Sequence, residues 1–427
     1  MEISPQARAQ AQALLDFIDA GPSPWHVVAT ASGLLRAHGF GELREEERWE
    51  LVPGGRHFVV RGGSSLIAFV VGGGAPEAAG FRLVGAHTDS PGLRVKPRAA
   101  QVADGLLRIG VEVYGGPILA TFADRDLALA GRLAVRGATG PEMRLVHIDR
   151  PLLRLPNLAI HMNREVNENG LKFNKQTELP LLLGADGGLP PEGVFRGLLA
   201  DRAAVAAEDI LGWELAVCDT QRGAFWGADG EFLAASRLDN LGSCHAGLSA
   251  LLEAGAGATT RVCALFDHEE VGSESAVGAG GSFVADVLER IATARGADGE
   301  GWRCALARSF FVSADMAHAW HPNFPAAYEP AHRVAVNGGP VIKSNANQRY
   351  ATGAESAARF AMACERAGVP HQHYAHRSDL GCGSTIGPIV AARLGMPSVD
   401  VGSPMWAMHS LRESAGVLDH GWMIAAL

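Results

Sequence analysis

Three apolar runs in this chain end abruptly in polar clusters, and that repeated pattern constrains the fold more than any other feature. "FRLVGAHTDSP" runs from Phe81 into His87 and Asp89. "RVCALFDHEEVGS" ends on Asp267, His268, Glu269 and Glu270, and "SFFVSADMAHA" ends at Asp315. Short runs rich in Val, Phe and Leu suit strands covered on both faces. Stretches with helical spacing lie between them, such as "DNLGSCHAGLSALLEAG" and "GSFVADVLERIATARG". Strand and helix in alternation predict an α/β domain whose mixed, largely parallel sheet is flanked by helices. The site of such a domain lies at the carboxyl ends of the strands, where these clusters fall.

The stretch 94–235 reads differently. "GLLRIGVEVYGGPILATF", "LALAGRLAVRG", "EMRLVHI" and "LGWELAVCDT" are short alternating strands broken by Gly and Asp, a pattern of antiparallel β structure. The α/β pattern resumes at "SRLDNLGS". The expected organisation is therefore a discontinuous domain, 1–93 and 236–427, interrupted by a β-rich insert over 94–235.

Composition narrows the partners. A net charge of -9 without a basic run argues against nucleic acid and against an anionic membrane surface. No apolar run approaches the roughly 20 residues a membrane span needs. The start, "MEISPQARAQAQALLDFIDA", has helical spacing with no apolar signal core and no cleavage site, so it reads as a surface helix of the mature protein. The 6 cysteines form no C-x-x-C pair, as expected of reduced thiols in the cytoplasm.

Adjacent acids such as Glu269 and Glu270 repel each other unless something positive sits among them. Taken together, His87, Asp89, Asp239, Glu269, Glu270, Asp315 and His409 supply nitrogen and oxygen donors suited to Zn²⁺, with Mn²⁺ or Co²⁺ as substitutes. Two ions a few ångströms apart need a bridging carboxylate, with a histidine and a further carboxylate on each, and the set can supply that. Each piece alone has an ordinary reading. "HTD" is more often a turn, "HEE" a solvated loop, and His161 a structural histidine, while His26, His38, His57 and His147 sit in unremarkable contexts. "HQHYAHRSDLGCGST" places His371, His373 and His376 close together. No second cluster pairs with them, so a solvent-facing or pocket-lining strand takes precedence over a metal site. The following "GCGSTIGP" is a tight turn entering a helix whose N–H groups could bind an anion.

In this order, "GAHTDSPGLRVKP", "PNLAIHMNREVNENG", "SRLDNLGSCHAGLSAL", "DHEEVGSESAVGA", "SADMAHAWHPNF", "GGPVIKSNANQRYAT", "SDLGCGSTIGP" and "SPMWAMHSLRE" resemble the aspartyl aminopeptidase family of dinuclear zinc exopeptidases. The resemblance spans almost the whole chain. It implies a zinc-exopeptidase fold with an inserted β-rich dimerisation domain, and a homo-oligomer. It implies two Zn²⁺ per subunit held by His87, Asp239, Glu270, Asp315 and His409, with Asp239 as the bridge. Glu269 would be the general base and Asp89 the group orienting His87. His161, His318, Lys343 and Tyr350 would surround a peptide substrate with a free N-terminus, preferably acidic. Two rivals share parts of the pattern. One is a zinc deacylase of N-acyl amino acids, with the same ligands and base; the other is a non-catalytic metal-binding scaffold, which would be expected to lack the base.

Overall fold

The computed structural model describes residues 3–255 and 257–427. The chain divides into two compact units: Met1–Asp89 with Gly223–Met408 and Glu413–Leu427, and Ser90–Arg222 with His409–Arg412. Residues 223–235 thus lie in the first unit rather than with the β-rich insert. The strands Ala224–Trp226 and Phe232–Ala235 form a hairpin whose inner strand pairs with Glu413–Gly416. A partner that distant in sequence leaves no trace in the local pattern.

A nine-stranded mixed sheet forms the frame of the first unit. Phe81–His87 lies between Thr260–Phe266 and Phe310–Ala314, all three parallel, with Phe266 level with His87. Their carboxyl ends therefore finish on one edge. Ser398–Gly402 follows in parallel, then Val341–Ser344 running the other way, and Gln372–Ala375 at the margin. Opposite faces of a strand alternate residue by residue. Cys263 and Leu265 accordingly join one apolar cluster, with the helices Pro5–Ala20, Pro24–Ala37 and Leu238–Glu253. Val262, Ala264 and Phe266 join another, under Phe283–Ala294, Gly299–Ala307 and Ile386–Leu394. Coverage on both sides explains why these runs are continuously apolar. Gly85 is the gap that the neighbouring strand's ring fills, since a Cβ there would lie 2.7 Å from Phe311.

The second unit carries a six-stranded sheet, with Leu127–Arg136 and Ile210–Asp219 paired antiparallel at its centre. Its own apolar cluster includes Leu129, Leu133, Ile148 and Leu215, with Phe195 and Leu199 from the helix Pro191–Ala203. Among the described residues no helix is long and apolar enough to cross a membrane. All six cysteines are free thiols.

A buried histidine pair should make the first unit sensitive to acid. His245 and His420 share a ring-to-ring hydrogen bond of 2.8 Å. Burial pushes His245 down to about 4, and burial followed by His245 itself holds His420 well below its usual range. Unfolded imidazoles take up protons near 6.5 while the folded pair resists them. Their contribution is therefore complete above pH 6.5 and is lost as pH falls toward 4. Thermal melts should show Tm falling over that window, with each group adding up to about 1.4 kcal/mol per pH unit. A His245→Asn/His420→Asn protein should have a flatter Tm profile there; an unchanged slope would remove the pair from the acid response.

Candidate metal centre

His87 ends its strand only 2% exposed. Its Nδ1 lies 3.1 Å from the Asp89 main-chain oxygen, which can only accept, so Nδ1 donates there and Nε2 is the atom turned to the site. Nε2 faces Asp239 Oδ1 at 3.4 Å, Asp315 Oδ1 at 3.6 Å and Glu269 Oε2 at 4.0 Å. The Asp89 carboxylate is fully buried and has a second task. Its two oxygens accept the main-chain N–H groups of Glu269 and Glu270, each at 3.1 Å. One aspartate thereby fixes both the histidine and the turn bearing the two glutamates.

That turn is otherwise self-supporting. Asp267 accepts the His268 N–H, Ser273 N–H returns to the His268 carbonyl, and the His268 ring meets Ser275 Oγ at 2.8 Å. His268 itself takes φ 63°, which turns the chain sharply out of the strand. The adjacent acids at the strand mouth are thus held in one short 3-10 turn, Glu269–Val271.

Asp239 sits where the helix Leu238–Glu253 breaks, at φ -83° and ψ 104°. Its N–H donates to Glu413 Oε2 at 3.1 Å, and the next residue, Asn240, donates to the Ala314 carbonyl at 2.9 Å. Glu413, 2% exposed, is a positioning residue the sequence reading missed, because nothing in "SLRES" marks it for burial. Asp315 is delivered by the Phe310–Ala314 strand, its N–H on the Val401 carbonyl. Gly402 lets that backbone come close, as a Cβ there would be 1.8 Å from the Asp315 oxygen.

Lys343 is buried, not a surface lysine. Its ammonium donates to the carbonyls of Asp315 and Met316 at 3.1 and 3.2 Å, lies 3.7 Å from Asp315 Oδ2, and stands over the Tyr350 ring at 5.1 Å. The His318 ring packs near Tyr374 and His376, and burial, then Lys343 and His376, lower it to about 4, so it is neutral at pH 7. His161 and His409 belong to the second unit. His161 is exposed on the 3-10 turn Ile160–Met162. His409 places Nδ1 3.0 Å from the Gly116 carbonyl, so its Nδ1 donates there too.

The histidine-rich segment divides. His376 turns toward His318 and accepts or donates at Tyr374 Oη, 2.6 Å away, whereas His373 is exposed. At the start of the helix Ile386–Leu394, where an anion could bind, the N-cap is a side chain of the protein. Thr385 accepts the Gly387 N–H and donates to the buried Asp400 carboxylate, which packs against Gly387.

Electrostatics follow from crowding acids in a buried space. Burial opposes charge on His87, but Asp239, Asp315 and Asp89 together raise it well above its ordinary value. Burial pushes Glu269 up to about 8, and the neighbouring aspartates add to the shift. Burial and Asp239 hold Glu270 well above its usual range. His87, Asp239 and Glu270 have ligand atoms within 4.8 Å of one another. A buried imidazole with its far nitrogen anchored, facing several carboxylate oxygens, is a donor set that fits a divalent zinc-type ion.

Known proteins share this chain's extent and fold. The family described as "Aminopeptidase I zinc metalloprotease (M18)" matches residues 17–427. "Probable M18 family aminopeptidase 2" of Pseudomonas aeruginosa (strain LESB58) is 47% identical over 421 residues, 97% of this chain and 96% of that protein. The protein of the same name from Clostridium acetobutylicum is 44% identical over 414 residues, 96% of this chain and 95% of its own length. Among solved structures, Ape4 in its complex with Nbr1 superposes with a TM-score of 0.96 at 38% identity, covering 100% of this chain and 86% of that one. The S. cerevisiae mApe1 dodecamer superposes at 0.85 with 27% identity, over 99% and 96%. The chain belongs to the M18 family of zinc metalloproteases and is a metallo-aminopeptidase.

Proposed function

We propose that the enzyme removes N-terminal residues, preferentially Asp or Glu, from peptides, using two zinc ions per subunit. The single observation that carries this reading is the Asp89 carboxylate, which holds the Glu269–Glu270 turn against His87. In it, His87, Asp239, Glu270, Asp315 and His409 would hold the ions, with Asp239 shared between them, and Mn²⁺ or Co²⁺ would substitute. When bound, the metals supply polarisation of the scissile carbonyl and acidify a water. Glu269 accepts that water's proton and passes it to the leaving amine. Tyr350 and His318 line the substrate side, and the free α-amino group binds among the acids.

The β-rich second unit is assigned to subunit contact in a homo-oligomer, a dimer or an assembly of dimers. Leu158, Ile160 and Met162 there are 68%, 47% and 75% exposed, apolar side chains in one short segment that a subunit contact would cover. The free thiols suit the cytoplasm.

Metal content by mass spectrometry, coupled to turnover of Asp-, Glu- and Leu-anilides, tests the reading. Two ions per chain and faster cleavage of the acidic substrates are expected; a Leu preference would remove the acidic pocket. Lys343 is the cation proposed to meet the acidic side chain. Two of its N–H bonds hold the Asp315 loop, so Lys343→Met should slow every substrate. The further loss on Asp- and Glu-anilides should be larger, since an unpaired buried carboxylate is heavily penalised. Equal losses on all three would leave Lys343 with the loop alone.

A further inference from the structure

A second group of histidines stands away from the metal centre, at the open edge of the nine-stranded sheet. The strand Gln372–Ala375 is the last one there, paired with Val341–Ser344 on its inner side. Residues two apart on a strand share a face, and the rings of His371 and His373 lie 5.7 Å apart at 73°. Gln372 between them points the other way. It accepts the Ala335 N–H at 2.7 Å and donates to the Ala335 carbonyl at 2.9 Å, which docks the chain after His332 along the strand. His332 is itself held through Nδ1 by the Glu329 carboxylate.

We propose that His371, His373 and His332 form a surface site for one divalent transition ion of the zinc class, with Glu329 orienting His332 from behind. Two imidazoles on one tetrahedral ion, at Zn–N of about 2.0–2.1 Å, have ring centres roughly 5–6 Å apart, as this pair has. A carboxylate behind a ligating histidine is the usual support. Three nitrogens select Zn²⁺, Cu²⁺ or Ni²⁺ over Mg²⁺ or Ca²⁺. Among the described residues only His87, Asp239 and Glu270 already hold ligand atoms within 4.8 Å of one another, so an ion here would have to draw the exposed His373 and its neighbours together. Burial, then His371 and His332, lower the His373 pKa, which favours the neutral form that can ligate an ion. The ion has a structural use. From Ala319 to Pro340 the chain runs with one short 3-10 turn, Pro325–Ala327, as its regular structure. An ion joining His332 to the edge strand would pin that long excursion.

Zn²⁺ titrated by calorimetry into protein already saturated at the metal centre tests this. The wild type should take up one equivalent more than a His371→Ala/His373→Ala protein, and Zn²⁺ should raise Tm in the wild type alone. The number of ions at the other centre cancels in that difference. His332→Ala and Glu329→Gln should each weaken the extra equivalent roughly 10–100-fold, whereas His38→Ala, at an exposed histidine elsewhere, should leave it unchanged. Equal uptake by wild type and the double variant overturns the site. Full affinity in His332→Ala overturns its three-histidine form.

Discussion

Glu269→Gln should keep its metal and lose its turnover, with kcat down about 10²–10⁴-fold. The amide keeps the shape of the side chain and leaves the Glu269 N–H on Asp89, so the turn and its neighbour stay in place. What it removes is the carboxylate proposed to take the proton. Glu270→Gln should do the reverse at the first step. Glu270 shares a 4.8 Å cluster with His87 and Asp239, and losing its charge leaves fewer anionic donors for the ion. Metal occupancy should fall, and activity with it, recovering in part at high Zn²⁺. Mass spectrometry on both proteins separates the roles. Metal lost from the Glu269 variant and kept in the other would exchange the assignments.

His161 is proposed to hydrogen-bond the developing oxyanion, so His161→Ala should bind metal normally and lose roughly 10²–10³-fold in kcat, the usual effect of removing one such donor. His161 is exposed on a short turn, flanked by the exposed apolar Ile160 and Met162, a poor setting for a residue serving only its own fold. In the proposed dimer, the partner's His161 would complete each active site, the same surface serving both subunits. Mixing His161→Ala chains with Glu269→Gln chains should then restore activity. Some mixed dimers would hold one site with both residues intact. If subunit exchange is demonstrated and the mixture stays inactive, His161 works within its own chain.

Much of the frame was legible because buried parallel strands leave a strong signal. "FRLVGAH" and "RVCALF" are apolar on both faces, and each stops where its strand leaves the sheet. The gathering of His87, Asp89, Glu269 and Asp315 at one edge follows from parallel neighbours ending level. Residues paired through distant chain were hidden. The five-stranded sheet joins segments of two to four residues, such as Ala317–His318 and Pro404–Trp406, too short to show a period. Glu413 under the Asp239 N–H and Asp400 under Thr385 were unreadable for the same reason. His376 parts from His371 and His373 because it lies an odd number of positions from each, which places it on the other face, just past the strand's end at Ala375.

The strand Ser398–Gly402 lies between Phe310–Ala314 and Val341–Ser344, and this order has a consequence for the growing chain. A ribosome releases His87 and Asp89 early, but their strand waits for Thr260–Phe266 on one side and Phe310–Ala314 on the other. Lys343 waits longer, because its strand has no place in the sheet until Ser398–Gly402 has emerged. At roughly 5–20 residues per second, that interval is on the order of several seconds. Through it the nascent chain holds acids and histidines but no proteolytic centre. The sheet that carries the metal-centre residues is complete only near the end of the chain's own translation.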